Sequence, residues 1–405
     1  MTIIRADYIF VMNEDFEIKR DFAVAFDKKI IAINHADLLR DKYPQALFID
    51  AGKNSLLMPG LINPHVHLEF SANKTSLVYG DFIMWLKSVI SKREDLLQEC
   101  QEICIKKAVD GMLQSGTTTI GAVSSFGIDL KPCVYSKMNV VYFNEVLGSN
   151  PAMVDALYEN FQARLYESVS LKREGFIPAI SVHSPYSTHP ILAKKALHIA
   201  KNEDMIVSTH FMESRAEREW IDSGVGDFVT FFQDFAPNSK PVNSAMGYLE
   251  LFEGIPTLFT HATYATKEEL EKMQDIGYIT HCPVSNRLLN NGCLRIEEVD
   301  KLTLGTDGLS SNNSLNLWDE MRMALMMHTQ HSPHTLAKKL LLAATLHGAK
   351  SLSQNSGEIA VGKDADIIIT RLPDYVKDDE MLALLTILHV KDIEEVYIAG
   401  DSIKI

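Results

Sequence analysis

Residues 61–70 read LINPHVHLEF. The stretch begins with the apolar residues of a buried strand and ends near two histidines at i and i+2. Side chains two apart on a strand point the same way, so His65 and His67 face one side together. Working outward from this stretch, the chain repeats one unit, a short β-like run followed by a helical one. The later runs are TTTIGAV (117–123), NVVYFNEV (139–146), IPAISVHS (177–184), MIVSTHF (205–211), PTLFTH (256–261), GYITHC (277–282) and KLTLGTD (301–307). The helical patterns between them include the segment opening at Asp81, whose Phe82, Trp85, Leu86 and Val89 recur at helical spacing. Strands and helices alternating over 58–354 predict a (β/α)8 barrel of the TIM type. An open doubly wound sheet is the rival, but no GxGxxG follows the first strand.

Both ends of the chain look different from this middle. Residues 1–57 carry short strands bounded by polar turns, and so do the segments from Gly357 and from Glu394. The two ends are expected to pair into one small β-sandwich domain, built from 1–57 and 355–405. Composition narrows the class further. The chain has 405 residues, 46% apolar and 23% charged, as expected of a soluble protein with a large core. No run approaches the roughly 18 apolar residues of a membrane span, and the N-terminus lacks the order of a secretory leader, so a cytoplasmic location is expected. A net charge of −14 argues against nucleic acid as a partner. Five cysteines without a CxxC pair fit neither a disulfide framework nor a Cys-rich zinc site. Cys100 and Cys104, one helical turn apart, read as packing.

In a barrel of this type the reactive groups come from the carboxyl ends of the strands. Read in order, those ends supply His65 and His67, then His183, His210, His261, His281 and Asp307. An HxH pair alone is commonly two hydrogen-bonded strand histidines. With His210 and Asp307 at two other strand ends it reads as a metal set. Three neutral nitrogens and one carboxylate suit one divalent ion, Zn(II) or Fe(II), with a position left for water. Glu213, three residues past His210, reads as the proton shuttle such a water needs, or else as an acid opening a helix. His261 is expected to orient the nucleophile. His183 reads as a substrate contact or a loop anchor, and His281 as a satisfied core histidine. His67-Leu68-Glu69 matches half of the cytidine-type deaminase signature, but the PCxxC half is absent.

These motifs resemble the amidohydrolase superfamily, in its branch of chlorohydrolases and S-adenosylhomocysteine/methylthioadenosine deaminases. The resemblance is carried by PGLINPHVHLEF, WLKSVISKRE, HSPYS, STHFMES, THATY, HCPVSN and LGTDGLSSNNSLNLWDEM, and by the closing GEIAVGKDADIII. It implies a mononuclear site on His65, His67, His210 and Asp307, with Glu213 and His261 beside it. It further implies that Glu94 holds ribose hydroxyls, that His183 contacts the nucleoside, and that Ser310 and Ser311 line the same pocket. The implied activity is hydrolytic deamination of an adenine nucleoside: water adds at C6, Glu213 protonates N1, and Asp307 passes a proton toward the departing amine. Within that branch the loops HLEFS, LVYGDFIMWLKSVI, HFMESRAEREW and CPVSNRLLNNG are similar to the 6-amino-6-deoxyfutalosine deaminases. Such a substrate carries a benzoate, for which Arg164, Arg173, Arg215, Arg218 and Arg287 are candidate partners. Methylthioadenosine, S-adenosylhomocysteine or adenosine deamination, and triazine dechlorination, are the alternatives within the branch. A metal-free structural barrel is the alternative outside it. The acid at Glu69 departs from the branch pattern and has no assigned task. A homodimer is the assembly to test.

Overall fold

The computed structural model describes residues 1–73, 75–99, 102–235 and 239–404. Its centre is a barrel of eight strands: β1 (Leu61–Val66), β2 (Thr117–Ser124), β3 (Asn139–Val146), β4 (Phe176–Val182), β5 (Val207–Phe211), β6 (Thr257–His261), β7 (Gly277–His281) and β8 (Leu302–Leu304). Each is parallel to the next in chain order. Helices cover the outside, so the strands are buried on both faces and read as nearly continuous apolar runs. The barrel is nearly closed. Its seam between β8 and β1 is held by a side-chain and a backbone bond: the Asn63 amide donates to Thr306 Oγ1 (2.7 Å), and the Asp307 N–H donates to the His65 carbonyl (3.2 Å). The first and last metal-site strands are therefore fastened directly to each other.

The chain ends meet as expected. Ser55–Pro59 pairs antiparallel with Ile367–Arg371, placing Leu57 opposite Ile369, and parallel with Thr2–Phe10. The terminal strands form one hydrogen-bonded mixed sheet of eight rather than two separately paired layers. That sheet forks at its first strand, where Thr2–Arg5 pairs with Leu47–Asp50 while Tyr8 and Ile9 pair with Leu56 and Leu57. The fork lets apolar residues of both chain ends share one core, which includes Ile4, Val24, Phe26, Leu57, Ile367 and Tyr397. A helix at Asp379–His389 interrupts the C-terminal strands, where sequence reading expected only β structure. Its buried Leu382, Ala383, Thr386 and Ile387 follow helical spacing. Cys104 is half-buried against the main core, and Cys100 lies outside the described residues.

The chain passes from the terminal sheet into the barrel through Gly60, where a Cβ would stand 2.2 Å from Thr118 Cγ2. Inside the barrel the approach is closer to backbone. A Cβ on Gly121 of β2 would meet the Pro64 carbonyl oxygen at 2.2 Å and Phe143 at 3.0 Å. The Pro64 carbonyl cannot swing aside without moving His65, so Gly121→Ala is expected to destabilise the protein by about 1–3 kcal/mol or more. Thermal unfolding measures this; an unchanged midpoint would mean that β1 and β2 are not this close.

Candidate metal centre

Three imidazoles and one carboxylate converge at the carboxyl ends of β1, β5 and β8. His67 Nε2 lies 3.2 Å from His210 Nε2, and Asp307 Oδ1 lies 3.7 Å from His65 Nε2 and 3.6 Å from His67 Nε2. Ligand atoms about 2.0–2.2 Å from a shared tetrahedral ion stand roughly 3.3–3.6 Å apart, so these spacings fit one. His65 Nε2 is fully buried and has no hydrogen-bond partner. An orphaned buried nitrogen aimed at two other ring nitrogens is costly unless a cation takes the lone pairs. The far nitrogens are anchored: His65 Nδ1 sits 3.2 Å from Thr260 Oγ1, and His210 Nδ1 donates to the His183 carbonyl (2.9 Å). That second bond fixes the tautomer and aims Nε2 inward.

The charge states suit a cation. Burial pushes the His67 and His210 pKa values down, and for both the neighbouring His65 adds repulsion, so the rings are neutral. Burial works to raise Asp307, but its interactions with the surrounding imidazoles of His65, His67 and His261 outweigh it and hold the carboxyl well below its usual range. Its other oxygen, Oδ2, accepts from the Ser285 hydroxyl (2.8 Å) and the Ser311 hydroxyl (2.7 Å). Asp307 and His261 have positive φ, 56° and 73°. Such non-glycine residues cost of order 1–3 kcal/mol each and persist where surroundings hold them.

Glu213 and His261 stand beside this set. Glu213 Oε1 is 3.7 Å from His261 Nε2 and accepts from the Asn291 amide (3.2 Å). Burial, with the charges of Asp307 and Glu217, raises the Glu213 pKa well above its ordinary value and so favours the carboxyl form. Burial drives His261 down to about 4. His261 Nδ1 donates to Asn286 Oδ1 (2.8 Å), leaving Nε2 as a free acceptor. An acid whose pKa is pushed up and a base whose pKa is pushed down thus share one wall, as proton transfer to and from a substrate requires. Asn286, through its amide nitrogen, also reaches His281 Nδ1 (3.4 Å), and His281 Nε2 lies 3.1 Å from His328 Nε2. His281 is therefore a buried partner in the chain of contacts that holds His261.

The cavity over the centre is lined by His67, His183, His210, Glu213, His261 and Asp307, with Trp85, Leu86 and Val89 as its apolar wall. Two expected residues stand elsewhere. Ser311 is fully buried behind Asp307, which it hydrogen-bonds, and Ser310 faces the cavity in its place. Glu94 is exposed and outside the lining. Nine helical residues after Trp85, it lies about half a turn from that side chain and about 80° from Leu86. Sequence reading also passed over Glu145, a buried acid at the end of β3 in the cavity wall, paired with the hydroxyls of Ser125 and Ser181. Its position at a strand end was the available signal. Four of the five candidate arginines are already engaged: Arg164 with the Ser124 and Glu145 carbonyls, Arg173 with the Val134 carbonyl, Arg215 with Glu219, and Arg218 with Asp222 and Glu269.

Residues 56–403 match the model of the amidohydrolase family. An aminodeoxyfutalosine deaminase from a Nitratiruptor species is 49% identical over 95% of each chain. An adenosine deaminase from Helicobacter pylori is 36% identical over 99% of each. The crystal structure of Helicobacter pylori aminofutalosine deaminase in complex with methylthio-coformycin superposes with a TM-score of 0.93, at 36% identity, covering all of both chains.

The ligand geometry predicts about one equivalent of divalent metal per chain in the purified protein. His67→Ala and Asp307→Asn should each lower it severalfold, read by elemental analysis. Full occupancy in both variants would place the ion elsewhere.

Proposed function

The chain belongs to the amidohydrolase family and is a hydrolytic deaminase, and on that premise we propose that its substrate is 6-amino-6-deoxyfutalosine, converted to futalosine and ammonia. The reading is supported chemically by one pairing: His65, His67 and His210 converging with Asp307, beside a buried Glu213 whose pKa is raised and a His261 whose pKa is lowered to about 4. A divalent ion on His65, His67, His210 and Asp307, Zn(II) or Fe(II), supplies the Lewis acidity that brings the pKa of water toward neutrality.

The chain's own groups then divide the work. Glu213 delivers its carboxyl proton to purine N1, which keeps negative charge off the ring as water oxygen bonds to C6. His261 Nε2, its Nδ1 proton committed to Asn286, accepts a hydrogen bond from the attacking water and orients it. Asp307 takes a proton from that water and releases it to the amine at C6. Its depressed pKa makes it a brief carrier. The C6–N bond breaks and ammonia leaves with that proton; the C6 hydroxyl gives its remaining proton back to the Glu213 carboxylate, and the 6-oxo purine remains. His183, whose Nδ1 is held by the Ser187 hydroxyl (2.6 Å), presents its other nitrogen to the nucleoside. Glu145, an acceptor in the cavity wall, is the group we assign to a ribose hydroxyl, since Glu94 is not among the residues that line the cavity.

The proposed setting is a bacterial cytoplasm with a futalosine route to menaquinone; no described helix is long and apolar enough to cross a membrane. Adenosine deamination is the second reading, favoured by the Helicobacter pylori relative of that name. The chemistry at C6 is the same, so the 5′ substituent decides.

Two measurements test the proposal. The kcat/KM for 6-amino-6-deoxyfutalosine should exceed those for methylthioadenosine, S-adenosylhomocysteine and adenosine by at least about tenfold, equivalent to ~1.4 kcal/mol of differential binding; equal values would leave only a general nucleoside deaminase. Glu213→Gln should keep its metal and lose about 10²–10⁴ in turnover. Near-normal turnover in that variant would remove Glu213 from the proton path.

A further inference from the structure

Glu69-Phe70, the end of the opening motif, has no part in the chemistry above. Glu69 is buried, and its oxygens accept the backbone N–H groups of Ser125 (2.8 Å), Phe126 (2.9 Å) and Ile128 (3.3 Å). The Ser124 hydroxyl lies 3.2 Å away. Burial, with Asp129 beside it, pushes the Glu69 pKa up to about 8. The residue two places after a metal ligand therefore clamps the loop that leaves β2. That loop displays Phe126 at the rim, 38% exposed. The Phe126 ring meets Phe70 edge to face, with centroids 6.3 Å apart, and Phe70 lines the cavity.

The Arg93 guanidinium lies over the Phe126 ring, 5.8 Å from its centroid. Arg93 is exposed and makes no hydrogen bond or ion pair among the described residues. It belongs to the helix Phe82–Glu99, on the stripe that Trp85 and Val89 present to the cavity. Steps of four residues drift only about 40° around a helix, so this wall leads outward to Arg93. On a chain of net charge −14, this guanidinium stands over the Phe126 ring with no ion-pair partner among the described residues. Arg287 is also exposed and has no side-chain partner among the described residues, but no contact among them joins it to the cavity's aromatic wall.

We propose that Phe70, Phe126 and Arg93 form a rim subsite for an aromatic carboxylate carried on the 5′ side of the nucleoside. The rings take the aryl group edge to face or offset-stacked, and the guanidinium takes the carboxylate through paired N–H donors. The inference rests on the nucleoside-deaminase reading and adds the residues that select the substrate.

The test is the ratio of kcat/KM for 6-amino-6-deoxyfutalosine to that for methylthioadenosine, which has no carboxylate. A fold defect lowers both values together and leaves the ratio intact. Arg93→Gln should lower the ratio about 10- to 100-fold, through KM, as expected for a lost charge-assisted hydrogen bond, and Arg93→Lys should restore part of it. Arg287→Ala should leave the ratio unchanged. An unchanged ratio in Arg93→Gln, or a selective loss in Arg287→Ala, overturns the subsite. A wild-type ratio near one overturns the substrate assignment itself, before any variant is made.

Discussion

Three imidazoles converge on one point beside the Asp307 carboxylate, and the rest of the molecule exists around that convergence. The His67 and His210 nitrogens stand 3.2 Å apart, and the buried His65 Nε2 has no hydrogen-bond partner. Lone pairs facing one another at this range repel, and burial removes the water that would otherwise separate them. A cation bound here would relieve that repulsion, so its affinity would be coupled to the stability of these strand ends.

The supports radiate from this point. The Asn63–Thr306 bond closes the barrel seam next to Asp307, and the Ser285 and Ser311 hydroxyls fix the oxygen that faces away from the histidines. His261 is held through Asn286, which is held in turn by His281 against His328. These groups are almost all neutral donors and acceptors. A buried charge among them would compete for the ion, whereas hydroxyls and amides orient without competing. The strained backbones at Asp307 and His261 persist because so many bonds converge on them.

Much of this was legible in the chain. Each barrel strand was visible as a short apolar run, because a parallel strand covered on both faces has little room for polar residues. The metal set was visible because its members close those runs, and a strand end in a barrel has one direction to face. Glu94 and Ser311 were misplaced for a different reason. Both lie on segments whose rotation is set by packing: the helix carrying Glu94 turns Trp85 and Val89 inward, and the turn after Asp307 sends Ser311 behind the carboxylate while Ser310 comes forward. The helix Asp379–His389 escaped notice because its apolar stripe sits between two strands that resemble their neighbours at the other terminus. Glu69 could be seen as unusual, but the four backbone and hydroxyl donors it gathers are more than fifty residues away.

The sequence by itself determined the periodicities, and with them the barrel, the pairing of the two chain ends and the residue types available at each strand end. Those follow from local rules: spacing along a strand or helix, and the cost of burying what does not belong. Only the tertiary structure decided which oxygen of Asp307 faces the histidines, which acid keeps its proton, and which side chains reach the cavity rim. These depend on distances between residues far apart in the chain, and electrostatic and hydrogen-bond energies change over a few tenths of an ångström, a scale that no pattern of letters records.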